Sequence, residues 1–195
     1  MEGLSKILEF IRLTHNFQKV QRVLFVTGED RKENDWEHSF QLTLLAWYMI
    51  DSQKMDLDIS KAIRYALIHD LVEVYAGDTY VYTKDEERKA SKKSREKESA
   101  DRIEKEFPEF ADLHKTIKDY EERGDRESRF VYALDKVIPV LNIYSDKGRT
   151  WKALGITLDM LIEHKTDKVA LSPEVKKYFD ELISLLRSKE KELFH

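Results

Sequence analysis

Residues 62–78 read AIRYALIHDLVEVYAGD. Ile63, Ala66, Leu67 and Leu71 fall on one stripe at helical spacing, which predicts a helix over about 59–75 with one buried face. Gly77 is its expected stop. His69, Asp70 and Glu73 sit inside this apolar run, and burying such groups without partners is costly. Neighbours on an α-helix diverge by roughly 100°, so His69 and Asp70 reach one ion only if it lies between their directions. Glu73 stands three residues after Asp70 and four after His69. Both are facing intervals, so its carboxylate overhangs the pair.

The same conflict recurs on either side. Asn34 followed by Glu37 resembles a capping box at the start of a helix over 35–54. That helix is apolar nearly all round (Phe40, Leu42, Leu44, Leu45, Trp47, Tyr48, Met49), which predicts a place in the centre of a bundle. It carries His38 in its first turn. Residues 126–144 are again apolar, with Phe130, Val131, Leu134, Val137, Ile138 and Leu141, and they hold Asp135. Pro139 is expected to kink this helix or free a carbonyl.

Further helices are expected at 4–17 (Leu4, Ile7, Leu8, Ile11), 109–122, 151–164 and 172–193, the last opened by a Ser172 cap and Pro173 at its first position. The Lys/Glu/Arg/Ser run at 84–106 reads as a solvated helix laced by i,i+4 pairs. Residues 18–33 lose the helical period, and Gly28 to Lys32 reads as a solvated loop. With three prolines and six glycines in 195 residues, turn signals are scarce and long helices are favoured. The chain reads as one all-α domain, residues 1–195, built as a helical bundle.

Composition narrows the chemistry. Without cysteine there is no disulfide framework, thiolate zinc site or cysteine nucleophile. A net charge of −4 argues against a nucleic-acid polymer as partner, while leaving room for one small phosphate. The longest apolar run, LTLLAWYMI, is about half the ~20 residues of a membrane span. No basic, cleavable leader opens the chain, and a cytoplasmic location is expected.

Any metal must therefore sit on histidine and carboxylate. A single core histidine is usually hydrogen-bonded, and a single buried aspartate usually caps a helix or pairs with a lysine such as Lys136. His38, His69, Asp70 and Asp135 together make a plausible two-nitrogen, two-oxygen set for one divalent ion, with positions left for water and substrate. Glu73 then stands where a base for the attacking water belongs. A structural polar network in a non-catalytic binding module remains the competing reading.

The order His38, His69-Asp70, Asp135 resembles the signature of HD-domain metal-dependent phosphohydrolases. Glu37-His38-Ser39, the run from His69-Asp70 through Glu73 to Gly77-Asp78, and Leu134-Asp135-Lys136 resemble the branch that contains the 5′-deoxynucleotidases. The resemblance covers about residues 5–165, with the metal-site core at about 20–145. It implies an HD-type helical bundle and hydrolysis of a phosphomonoester, with a nucleoside 5′-monophosphate as favoured substrate. It also implies one ion (Mn, Co, Fe or Zn) on His38, His69, Asp70 and Asp135, with Glu73 orienting or deprotonating water. Asp78 would lie near the leaving oxygen, Arg22 on the phosphate, and Thr79 to Tyr82 along the substrate pocket. A homodimer is implied as well. In the branch an aromatic residue follows the arginine and bears on the sugar. Val23 stands there instead, which weakens the expected deoxyribose preference. Val74 departs from the alarmone hydrolases, which place Asp after the Glu. Only His114 lies between the doublet and Asp135, too few histidines for a dinuclear phosphodiesterase. His15, His164 and His195 have no motif around them and read as surface residues. Another small phosphorylated metabolite is the alternative substrate.

Overall fold

Asn34 sets the start of the central helix. Its side chain accepts from the Glu37 amide at 2.9 Å, and the Glu37 carboxylate accepts from the Asn34 amide at 3.1 Å. This capping box opens α2 (Asp35–Ser52). Asp58 opens α3 (Ile59–Ile68) and Asp125 opens α7 (Arg126–Ser145) in the same way, by accepting from the Lys61 and Ser128 amides. Each cap satisfies an amide that the first turn leaves without a partner. The three helices meet over Leu42, Ala46, Ala62, Tyr65, Phe130, Leu134 and Ile138, all buried. Each large apolar side chain fully buried there contributes roughly 1.5–3 kcal/mol.

The computed structural model describes residues 2–195. Helix α1 (Glu2–Phe17) leads into a hairpin, β1 (Gln21–Phe25) and β2 (Lys32–Asn34). After α3 come α4 (Glu73–Ala76), α5 (Glu86–Glu106) and α6 (Ala111–Glu122); after α7 come α8 (Arg149–Leu154), α9 (Leu158–Val169), α10 (Pro173–Ser188) and α11 (Glu190–Phe194). A second apolar cluster joins α1 through Leu13 and Phe17 to Leu71, Ile103, Phe107, Leu113 and Ile117. The C-terminal helices extend the main core through Trp151, Leu158, Phe179, Leu186 and Phe194. The expected mostly helical architecture is what the chain adopts.

Five local expectations change. The stretch without a helical period holds a hairpin, with the expected loop as its turn and an antiparallel register that slips between Gln21–Asn34 and Phe25–Lys32. The extra residues lie on β1, around Arg22, and such a bulge re-aims side chains. The helix expected at 59–75 stops at Ile68, and the chain continues in tighter turns, with Leu71 donating to Ile68 and Glu73 to Asp70. The segment at 151–164 is split by Gly155, at φ 63°. Ser172 stands at the cap position before Pro173, but its hydroxyl donates to Glu174 instead of capping. Finally, α2 is not buried all round: Phe40, Leu44, Trp47 and Tyr48 are 48–66% exposed, and so are Leu4, Ile7, Leu8 and Ile11 of α1, at 44–63%.

Candidate metal centre

Four groups converge where α2, α7 and the end of α3 meet. One ligand atom from each of His38, His69, Asp70 and Asp135 lies within 4.8 Å of all the others. His38 comes from the first turn of α2, which the capping box fixes. Asp135 comes from the middle of α7, four residues before Pro139. Proline lacks the amide that would have bonded the Asp135 carbonyl. The neighbouring Lys136 carbonyl accepts instead from Lys165 Nζ at 2.6 Å. His69 and Asp70 sit in the tightened turns after α3. In i→i+3 turns, residues three apart eclipse, which stacks Glu73 over Asp70 more directly than an α-helix does.

The donor set fits a cation. His69 Nδ1 lies 2.9 Å from the Ala66 carbonyl. A carbonyl only accepts, so Nδ1 carries the proton, and in the neutral ring the Nε2 lone pair turns inward. Nε2 is buried without a hydrogen-bond partner, 3.0 Å from Asp70 Oδ2 and 3.7 Å from Asp135 Oδ1. A lone pair facing two carboxylate oxygens is repulsive unless a positive charge lies between them. His38 Nε2 stands 2.9 Å from Asp135 Oδ1. Asp135 Oδ2 accepts from Lys136 at 2.6 Å, so the lysine pairing and the cluster coexist.

Arg22 is not a surface residue. Its side chain is 12% exposed and bridges three acids: Nη1 to Asp70 at 2.9 Å and Asp35 at 3.1 Å, and Nε to Glu33 at 3.2 Å. Glu33 and Asp35 did not emerge from the sequence reading. Their signal is faint: Glu33 is the inward residue of a three-residue strand, and Asp35 hides inside the cap of α2. Asp35, Asp70 and Glu73 also bring carboxylate oxygens within 4.8 Å of one another, a second set able to hold a cation. Burial pushes Asp35 up to about 7, aided by Asp70 and opposed by Arg22. Burial likewise raises Glu33 to about 6 against Arg22. Glu73 is held well above the ordinary carboxylate range by burial, then by Asp70 and Asp35. Asp70 moves the other way: its burial is outweighed by the charge of a protonated His69 and by Arg22. Burial and then Arg22 push His38 down to about 4.

Helix α5 is more than a solvated face. Arg88, Lys92, Arg95 and Ser99 recur at helical spacing on the side toward α4. Arg88 donates to the Asp78 carbonyl at 2.7 Å, Arg95 to Thr79 Oγ1 at 2.7 Å, and Lys92 lies 3.7 Å from Glu73. These contacts hold the loop that carries Asp78 and Thr79. Both residues line a narrow cavity of about 80 Å³ with Arg22, Val23, Tyr82 and Trp151. His164, read as a surface residue, is half-buried at the mouth of a second cavity, which His69 and Asp70 line as well. His114 is turned away and bonds the Phe107 carbonyl.

A two-histidine, two-aspartate cluster inside this bundle is what the HD-domain signature places together. The HD domain family model matches residues 15–176, and the chain belongs to that family. The resemblance to HD-domain metal-dependent phosphohydrolases, near the 5′-deoxynucleotidases, is borne out by the proteins it matches. Human 5′-deoxynucleotidase HDDC2 is 29% identical over 142 residues, 71% of this chain and 67% of that protein. A Magnetospirillum magnetotacticum MS-1 protein described as a "predicted metal-dependent phosphohydrolase" superposes with a TM-score of 0.80 at 27% identity, covering 95% of this chain and 96% of the other. The PH0347 protein of Pyrococcus horikoshii OT3 shares the fold, with a TM-score of 0.63 at 22% identity over 92% and 98% of the two chains.

Proposed function

We propose that the chain is a metal-dependent phosphomonoesterase acting on nucleoside 5′-monophosphates. The observation that carries this reading is the inward His69 Nε2, without a partner among the described residues and facing Asp70 and Asp135, with Arg22 and Glu73 beside Asp70. The human relative named a 5′-deoxynucleotidase supports the nucleotide part. His38, His69, Asp70 and Asp135 hold one divalent ion. Such an ion supplies Lewis-acid polarisation of a phosphoryl oxygen and of water. Mn, Co, Fe and Zn all suit two imidazoles and two carboxylates.

The remaining steps belong to the chain. Arg22 binds the non-bridging oxygens through its guanidinium fork. Glu73 orients the attacking water and takes its proton. The water oxygen bonds to phosphorus as the ester P–O bond breaks, and Asp78 returns a proton to the departing sugar oxygen. Thr79 and Val23 line the nucleoside side of the cavity. Val23 offers no broad ring to the sugar, and selection through one small apolar contact is limited to about 1–3 kcal/mol. Discrimination between deoxyribose and ribose is therefore weak.

Metal analysis and phosphate release from paired deoxynucleoside and ribonucleoside monophosphates test this reading. About one ion per chain and turnover of both sugars are expected. A metal content unchanged in both His38→Ala and Asp135→Ala would refute the site. A strict deoxynucleotide requirement would show that another part of the pocket reads the sugar.

The exposed apolar faces of α1 and α2 favour a homodimer, since contiguous exposed patches of this kind mark association surfaces. Light scattering at micromolar concentration is expected to give twice the chain mass. A monomer would overturn it.

A further inference from the structure

The buried stripe of α9 reads Leu158, Leu161, Lys165, Val169. A lysine thus occupies a position suited to an apolar side chain. Lys165 is 7% exposed, and among the described residues its ammonium bonds only the Lys136 carbonyl. One turn on, Lys168 Nζ touches only the His164 ring, 2.8 Å from Nε2. Neither lysine forms an ion pair with a carboxylate among the described residues. Both face Lys136, beside the metal cluster.

These groups divide between two chambers. Lys165 borders the narrow cavity with Arg22 and Asp78. Lys168 borders a larger one, about 280 Å³, whose wall also carries Lys89, Lys92, Arg123 and Lys136. That volume far exceeds the ~30 Å³ share of a single water. Asp135, Lys136 and Thr79 line both chambers, so the metal cluster lies between them. Acids in the larger chamber are already engaged: Glu96 pairs with Lys92 at 3.2 Å and Glu121 with Arg123 at 4.0 Å. Asp70 and Asp135 belong to the metal set.

A phosphomonoester needs Arg22 and the ion. Lys89, Lys92, Arg123 and Lys136 each have a carboxylate within 4.0 Å, so Lys168, with buried Lys165 behind it, is the charge that exceeds that need, and an unpaired cation beside a cavity is costly until an anion enters. Burial and then Lys136 push Lys165 down to about 7 and Lys168 to about 8, in keeping with a local deficit of negative charge.

We propose that the larger chamber is a second anion subsite, which receives a further phosphoryl group carried by the same substrate molecule. Nucleotides bearing two phosphoryl groups then bind more tightly than nucleoside monophosphates. The nucleoside part rests on the function proposed above; the anion subsite does not.

The test is calorimetric titration of the full chain, metal-loaded and again after metal removal, with orthophosphate and with pyrophosphate. Pyrophosphate is expected to bind about tenfold more tightly in both forms, the gain of one charge-assisted contact. Lys168→Gln should bring the ratio toward one, and Lys168→Arg should retain it. Nucleoside 5′-diphosphate and 3′,5′-bisphosphate, each compared with the 5′-monophosphate, then locate the second group on the substrate. Equal affinity for the two inorganic anions overturns the proposal, as does a ratio that Lys168→Gln leaves untouched. If the ratio holds but no nucleoside monophosphate is hydrolysed, the nucleotide reading falls and the subsite stands.

Discussion

Replacing Arg22 with methionine removes the one guanidinium that touches Glu33, Asp35 and Asp70 together. Asp35 and Glu33 are buried and lose their nearest positive charge. Breaking a buried ion pair by removing one partner costs about 3–5 kcal/mol, and that is the loss expected for metal-free protein at pH 8. The pH dependence follows from the carboxyls. Unfolded, both titrate near 4. Folded, burial already raises them to about 6 and about 7 while Arg22 opposes the rise. Without Arg22 they hold their protons to still higher pH. The folded variant then binds more protons than its unfolded chain over a wider range, and stability falls as pH rises through that range. The deficit against the parent is therefore smaller at pH 5 than at pH 8. Urea unfolding of both proteins at the two pH values measures it. A deficit below 1 kcal/mol at pH 8, or one larger at pH 5, would refute the view that Arg22 holds this acid cluster together.

Glu73→Gln should keep the metal and lose about 10²–10⁴-fold in kcat, the usual cost of removing a general base; loss of the metal as well would make Glu73 a ligand. Gly148→Ala should cost about 2–4 kcal/mol in thermal or urea unfolding, because Gly148 has φ 76° and a Cβ there would meet the Leu193 carbonyl oxygen at 1.9 Å. Gly155→Ala, at φ 63° with open space around it, should cost only the backbone strain of about 1–2 kcal/mol, and equal losses at the two glycines would contradict the packing argument. Leu44→Glu on the outward face of α2 should leave the fold intact and shift a dimer to monomer in light scattering.

The His/Asp cluster was legible because His38, His69, Asp70 and Asp135 interrupt apolar helical stripes, and burial makes such interruptions costly. The hairpin was not. QRVLF and KEN are too short and too irregular to show a period of two, and the bulge on β1 breaks what alternation remains. That hairpin is also what turns Arg22 toward Asp70, so no local pattern marks Arg22 as buried among acids. The outward apolar face of α2 was misread for a different reason. Spacing reports that a face is apolar, but not whether the covering partner lies in the same chain. Lys165 passed unnoticed because one lysine in a stripe of leucine and valine looks like a helix edge, and only the packing of α9 against α7 places it inside.

Asp70 ties these pieces into one unit. Its Oδ2 lies 2.9 Å from Arg22 Nη1, 3.0 Å from His69 Nε2 and 4.0 Å from His38 Nε2. A single oxygen therefore faces both the group suited to phosphate and the groups suited to metal. The hairpin that delivers Arg22 and the turns that deliver Asp70 pack into different apolar clusters, yet each side chain loses a partner at 2.9 Å without the other. Changes at the hairpin should be felt at the metal, and a phosphate drawn to Arg22 competes with Asp70 for the same donor. On the proposed function, anion recognition and metal retention are coupled through that one shared carboxylate, so an Arg22 variant is expected to alter metal affinity as well as substrate affinity.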